Sequence, residues 1–277
     1  MKTLRLPSGP SVPVLGQGTW GMGDKRATRS AEAAALRAGI DLGMTLIDTA
    51  EMYGEGGAEK AIAEAIEGRR NEVFIVSKVY PHNASKIGTV RACERSLQRL
   101  ETDYLDLYLL HWRGSVPLAE TLEAFDNLRT AGKIRDYGVS NFDQSDMEEA
   151  MSLPGGAEVA TNQVLYSLKH RGIEWDLLPW CRARNIPIMA YSPIEQGALL
   201  NNRQIKLVSS RLGATPAQVA LAWVLRMDGV IAIPKSGNIA HLRENIGALG
   251  VNLTDEDLAD LDRAFPPPTK KTRLATS

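Results

Sequence analysis

Eight aliphatic runs recur along the chain, ending near Trp20, Thr49, Lys78, Trp112, Asn141, Tyr166, Ser192 and Lys235, most of them about 30 residues apart, the length of one β/α unit. Parallel strands need crossover helices between them, and eight such units close into a (β/α)8 barrel. The segments between the runs have the required period. Ser30 to Leu42 carries Ala33, Leu36 and Ile40 at helical spacing, and Ser115 to Ala131 carries Leu118, Leu122, Phe125 and Leu128. Before the first run, Leu4-Arg-Leu, a Pro7-Ser-Gly-Pro turn and Val12-Pro-Val predict a β-hairpin that plugs the amino-terminal end of the barrel. The interval from Ser192 to Lys235 is the longest and predicts an additional helix around Gln204 to Arg211. Thr215-Pro-Ala-Gln then starts the next helix, with an N-cap and a proline at the first helical position. The 277 residues fit one domain over 1–277, and 266–277, opening on Pro266-Pro-Pro-Thr-Lys-Lys, form a short irregular tail.

Thirty-two basic against 33 acidic residues, with no block of one sign, exclude a nucleic-acid or anionic-membrane partner and point to small molecules. No stretch reaches the length of a membrane span, and the start lacks the apolar core of a signal peptide, so a cytoplasmic location is expected. Cys93 and Cys181 lie far apart on helical stretches and are expected as free thiols. Near-neutral charge and the lack of an obvious exposed apolar helix predict a monomer.

Three of the runs stop at ionisable residues: Met44 to Asp48, Val73 to Lys78 and Tyr104 to His111. Polar residues at the carboxyl ends of different barrel strands converge on one site. With Tyr53, just past the first of these runs, they supply the parts of a proton donor. A phenol with a pKa of about 10 is a poor acid at neutrality. An ammonium beside it favours the phenolate, so Lys78 is expected to lower the Tyr53 pKa, with Asp48 keeping the lysine charged and His111 donating a hydrogen bond to a substrate oxygen or relaying to the phenol. Each residue alone also fits an ordinary role: Tyr53-Gly54 as a surface turn, Lys78 as a snorkelling strand end, His111 as a core histidine. A lysine at a barrel strand end also suits Schiff-base lyase chemistry. The histidines at 82, 111, 170 and 241 form no His-x-His or His-Glu-x-x-His pair, which argues against a metal site.

Ile47-Asp-Thr-Ala-Glu-Met-Tyr-Gly54, Ser77-Lys78, Leu110-His-Trp112, Gly138-Val-Ser-Asn-Phe142, Asn162-Gln163, Ala190-Tyr-Ser-Pro193 and Ile233-Pro-Lys-Ser236 resemble, in order and spacing over nearly the whole chain, the aldo-keto reductases, and most of all their bacterial methylglyoxal-reductase-type members. The resemblance implies an α/β fold, a (β/α)8 TIM barrel with an N-terminal β-hairpin and two extra helices. It implies a reductase that transfers hydride from NADPH to small aldehydes and dicarbonyls, with Asp48, Tyr53, Lys78 and His111 as the catalytic tetrad and no metal. Ser140, Asn141 and Gln163 match residues that hold the nicotinamide carboxamide, and Tyr191, followed by Ser192, the ring that stacks on the nicotinamide. Lys235, Ser236, Gly237 and Asn238, ahead of a helix starting near Ala240, match the phosphate site, and the extra helix is expected over the cofactor. Glu244 and Asn245 match an adenine-contacting pair. Many members carry an arginine over the 2′-phosphate where this chain has His241, and Arg243 projects from a different side of the helix; NADPH remains the expected cofactor, with NADH as the alternative. A regulatory subunit that binds cofactor with little catalysis is a second alternative, against which the complete tetrad argues.

Trp20, Tyr80 and Trp112 follow strand ends and are expected to wall an apolar substrate pocket. The tail and the loops after the first, fourth and seventh strands are expected to complete it. No arginine cluster is present to clamp an anionic substrate, so neutral carbonyls are expected.

Overall fold

The computed structural model describes residues 1–276. The opening hairpin pairs β1 (Thr3–Arg5) antiparallel with β2 (Ser11–Pro13). The barrel strands follow as β3 (Gln17–Gly18), β4 (Leu46–Asp48), β5 (Phe74–Val79), β6 (Leu105–Leu110), β7 (Ile134–Ser140), β8 (Val159–Leu165), β9 (Ile188–Tyr191) and β10 (Val230–Ala232). Each pairs in parallel with the next in sequence. Parallel bridges from Leu15 to Ala232 and from Gly18 to Lys235 close the sheet into a barrel. The closing strands approach so tightly that a Cβ on Gly18 would stand 2.8 Å from the Ile233 carbonyl oxygen, a contact no other residue avoids.

The crossovers are α1 (Arg29–Asp41), α2 (Gly57–Ile66), α3 (Lys86–Leu100), α4 (Leu118–Thr130), α5 (Gln144–Ser152), α6 (Leu177–Arg182), α8 (Pro216–Leu225) and α9 (Ile239–Gly247); α7 (Arg203–Leu212) and α10 (Asp255–Ala264) are additional to the repeat. Thr215 and Gln218 form a reciprocal capping box at the start of α8 with Pro216 at its first position. Cys93 and Cys181 are buried free thiols. Among the described residues no helix is long and apolar enough to cross a membrane.

Two layers of apolar side chains hold the fold. The larger lies between helices and sheet. The smaller fills the barrel: Leu46, Val76, Leu107, Leu109, Ala160, Met189, Ile231 and Ile233 from the strands, closed at one end by Leu6 and Val12 of the hairpin segment. The hairpin is therefore the expected plug, and Ser8 Oγ ties it to the barrel by donating to Asp136 at 2.7 Å. Residues 266–276 form no regular structure. The tail nonetheless packs, Lys271 pairing with Asp176 at 3.2 Å and Leu274 resting on the outer core.

Candidate active site

Side chains alternate between faces along a strand, so a residue two places beyond an inward-facing core residue reaches the mouth of the barrel. Asp48 follows Leu46, Lys78 follows Val76, His111 follows Leu109, Tyr191 follows Met189 and Lys235 follows Ile233 in this way. Tyr53 enters from the loop after β4, at the head of a kinked turn, Tyr53–Gly56, in which Gly54 and Glu55 take the left-handed φ values 56° and 51°.

The structure brings Asp48, Tyr53, Lys78 and His111 together. Lys78 is wholly buried, and three acceptors surround its ammonium: Asp48 at 2.8 Å, the Thr49 carbonyl oxygen at 2.7 Å and the Tyr53 hydroxyl at 3.4 Å. The Tyr53 and His111 rings meet edge to face, centroids 5.9 Å apart. His111 Nδ1 is buried with no hydrogen-bond partner among the described residues.

The electrostatics differ from the sequence expectation at one point. Burial, with the Asp48 carboxylate adding to it, holds the Tyr53 phenol well above its ordinary 10 instead of letting Lys78 lower it. The loss of water around the phenol is the larger cause and the Asp48 carboxylate the second, and the ammonium, whose shorter contacts go to Asp48 and Thr49, does not outweigh them. Burial raises Asp48 and lowers Lys78, each opposed by the attraction of the other. It also lowers the His111 imidazole to about 2, with the nearby Lys78 charge contributing, so the ring is neutral.

A cleft of about 560 Å³ opens over this cluster, lined on one side by Ser140, Asn141, Gln163, Tyr191 and Ser192 and continuing to Lys235 and His241. A register irregularity positions Gln163. Tyr137 faces Val159, but Val139 faces Asn162, so β8 spends one more residue than β7. This bulge turns both Ala160 and Gln163 inward although they are three apart. Gln163 Nε2 donates to Asp48 Oδ1 at 2.7 Å and lies 2.9 Å from Met189 Sδ. Asn141, in the left-handed region at φ 58°, donates to the His111 carbonyl oxygen at 3.1 Å and accepts from the Tyr191 hydroxyl at 2.9 Å. Ser236 and Asn238 bond to each other, Ser236 Oγ accepting from the Asn238 amide at 3.0 Å, and the Asn238 side chain caps α9 through Ala240 N. Ser236, Gly237 and Asn238 are outside the lining, as are Glu244 and Asn245 on α9, where Asn245 is buried.

Trp20 and Trp112 line the opposite wall with Gly21 and Met52, and Trp20 is exposed at the rim. Tyr80 does not line the cleft. It stands behind Trp112, its ring perpendicular at 5.6 Å, and packs on His82 at 4.6 Å. Glu51 fixes it there by accepting from Tyr80 N at 2.8 Å and from Asn83 Nδ2 at 3.0 Å. The tail does not complete the cleft either. Pro266, Pro268 and residues 271–275 line a separate cavity of about 260 Å³ with Lys169 to Ile173 and Asp176. Nor does α7 cover the cleft, since it packs on α8 and α10. The wall is instead the segment ahead of it, Pro193, Ile194, Gln196, Gly197 and Leu200. The loop after the seventh strand was expected to complete the pocket, though these residues were not singled out from the sequence. Their signal was the Glu195-Gln-Gly197 stretch, which has positive φ throughout and is held down by Glu195 on Ser167 Oγ at 2.8 Å and on His170 Nε2 at 3.2 Å.

The profile of the Aldo/keto reductase family matches residues 14–265. The chain is 53% identical to the methylglyoxal reductase YeaE of Escherichia coli (strain K12), covering 99% of this chain and 98% of that one. It is 36% identical to the glyoxal reductase of Bacillus subtilis (strain 168), covering 94% and 91%. A crystal structure of an aldo-keto reductase from Klebsiella pneumoniae in complex with NADPH superposes with a TM-score of 0.97 at 52% identity, covering 100% of this chain and 99% of that one.

Proposed function

This chain belongs to the aldo/keto reductase family, and from that premise we propose that it reduces small neutral aldehydes and dicarbonyls, methylglyoxal among them, to alcohols with NADPH, Tyr53 acting as the proton donor. The convergence of Tyr53, Lys78, Asp48 and His111 beneath one cleft carries the reading. Reduction of methylglyoxal and of glyoxal is what the names of the two curated relatives describe.

The cleft suits a nicotinamide dinucleotide. Ser140, Asn141 and Gln163 offer side-chain hydroxyl and amide groups for a carboxamide, Tyr191 and Ser192 flank them, and Lys235 stands at the other end where phosphates need a cation. Ser236, Gly237 and Asn238 belong to the same phosphate loop, His241 lines the cleft beside it, and Glu244 and Asn245 follow on α9. When bound, the cofactor supplies the hydride to the carbonyl carbon.

The chain's own residues handle the oxygen. Tyr53 holds its proton throughout the working range because burial keeps the phenol well above 10, so the acid is always loaded. The Lys78 ammonium, 3.4 Å from the hydroxyl, then stabilises the phenolate as it forms, where stabilisation lowers the barrier. Neutral His111 donates an N–H to the carbonyl oxygen. Trp20, Met52, Trp112 and Leu200 make the remaining wall apolar. The one lysine or arginine lining the cleft among the described residues, Lys235, lies at the phosphate end, so an anionic substrate finds no clamp. The reading takes the enzyme as a cytoplasmic monomer, supported by the balanced charge and by large apolar side chains that are exposed singly along the chain.

Following NADPH absorbance with methylglyoxal tests the proposal. Tyr53→Phe is expected to lower kcat by about 10²-fold or more while NADPH binding, read by fluorescence, persists; near-normal turnover in that variant overturns the assignment. Wild-type kcat/KM is expected to be higher with NADPH than with NADH, and equal values refute the cofactor preference.

A further inference from the structure

Asp48 lies on the second and Gln163 on the sixth of the eight barrel strands. They are therefore on opposite sides of the mouth, and the 2.7 Å bond from Gln163 Nε2 to Asp48 Oδ1 spans it between residues 115 apart in sequence. That bond joins the proton-donating half, on β4 and β5, to the amide-bearing half, on β7 to β9. Resting on the reductase reading above, we propose that Gln163 is a positioning residue for the proton donor: it holds Asp48 as a carboxylate, and so keeps the Lys78 ammonium charged beside Tyr53.

The argument begins with a competition inside the pair. Lys78 and Asp48 are both buried, and burial alone favours the neutral form of each, a shared proton on the carboxyl and a free amine. A neutral amine does nothing to stabilise a phenolate. The pair stays ionic only while the carboxylate has donors enough to offset its lost water. Asp48 has two: the Lys78 ammonium at 2.8 Å and the Gln163 amide at 2.7 Å. Of the other titratable groups facing the pair, Glu59 and Tyr191 favour the charged lysine, but none among the described residues donates to Asp48. Tyr53 next to Asp48 is an acid that burial keeps protonated, His111 is neutral, and Glu59 and Tyr191 bear on Lys78 and not on Asp48. Gln163 is thus the second support of the anion, on the far wall, and the bulge in β8 aims it there. Its amide is anchored again at Met189 Sδ, 2.9 Å away, so the donor nitrogen is held in place from two sides.

The test separates this role from any contact Gln163 makes with cofactor. In nucleotide-free protein labelled at the aspartate carboxyl carbon, with Asp48 assigned from the Asp48→Asn spectrum, the Asp48 titration midpoint is expected to rise in Gln163→Met by about one to two pH units, the size of a lost charge-assisted hydrogen bond. The acid limb of the kcat profile is expected to move towards neutrality by the same amount, at saturating NADPH. An unchanged Asp48 midpoint in a folded variant overturns the proposal even if KM for NADPH rises, because only the cofactor contact would then have been lost. Should Gln163→Met fail to fold, the wild-type protein decides. The Gln163 side-chain amide nitrogen and the Asp48 carboxyl carbon are expected to shift with one common midpoint, and independent behaviour overturns the proposal. Wild-type NADPH oxidation with methylglyoxal tests the reductase reading separately, since the titrations need neither cofactor nor substrate.

Discussion

His111 allows the electrostatics of the site to be tested through stability. Burial, aided by the Lys78 charge, takes its imidazole from the ordinary 6.5 to about 2 in the folded protein. The unfolded chain therefore binds a proton there between pH 6.5 and about 2 that the folded protein does not. The sign follows from linkage: stability is fully present above 6.5 and falls as the pH drops through this window. The limiting slope is about 1.4 kcal/mol per pH unit, and integrating from an unfolded pKa of 6.5 to pH 5 gives about 2 kcal/mol. His111→Gln removes the titration and leaves the other three histidines and the buried carboxylates in both proteins, where their contributions largely cancel. Urea denaturation of wild type and variant at pH 7.5 and pH 5.0 supplies the numbers. Whatever the variant costs at pH 7.5, the difference is expected to move in its favour by about 2 kcal/mol at pH 5.0. A difference that stays constant to within about 0.5 kcal/mol between the two pH values refutes the reasoning, and with it the claim that His111 acts as a neutral donor.

Two further outcomes follow from buried contacts. Asp48→Asn leaves the Lys78 ammonium enclosed without its anion and is expected to cost about 3–5 kcal/mol, most of it recovered in the Asp48→Asn/Lys78→Met double variant; calorimetric or urea stabilities in which the double is no better than the single refute the pairing as an electrostatic unit. Glu195→Ala frees the cleft wall from Ser167 and His170, and the loss of about 1 kcal/mol of hydrogen bonding is expected to raise KM for NADPH roughly five-fold with little change in kcat, so an unchanged KM refutes the tether.

The barrel was legible because period and spacing both survive in the sequence. The expected endings fall within a few residues of the observed ones, Thr49 against Asp48 and Lys78 against Val79 for example, since apolar runs that stop at a charge mark where strands leave the core. The meeting of Asp48, Lys78 and His111 was legible for the same reason: each is two residues past an inward-facing core position. What escaped was set by packing between distant segments. Nothing in Val159 to Leu165 announces the bulge that turns Gln163 towards Asp48. The extra helix was found, but its place was not, because α7 presents Ile205 and Val208 to the neighbouring elements and leaves the cleft to the loop before it. Tyr80 was read from its distance along the chain, whereas Glu51 draws its backbone back behind Trp112. The tail's proline run marked irregular structure correctly but carried no sign that it docks over Asp176.

The state of the phenol decides how the site is to be understood. A lysine with no counter-ion, buried this completely, would surrender its proton; paired with Asp48 it keeps its charge, at the cost of part of its field at the phenol. Burial and Asp48 leave Tyr53 tightly protonated at rest. On the proposed reading that is no handicap, because the phenol gives up its proton to a carbonyl oxygen that gains negative charge as it is reduced. At that moment the phenolate appears 3.4 Å from an ammonium already held in place by Asp48 and Thr49, and no side chain or water has to reorganise to meet the charge. Any preference of the ammonium for phenolate over phenol lowers the barrier and, to the same extent, opposes the rise that burial and Asp48 impose on the resting pKa. The resting pKa of Tyr53 is a net value dominated by burial and Asp48, so its height does not by itself measure the lysine. Its contribution is the difference between its attraction for a phenolate and for a phenol at fixed geometry, and whatever keeps its charge in place, Asp48 directly and Gln163 behind it, sets the size of that difference.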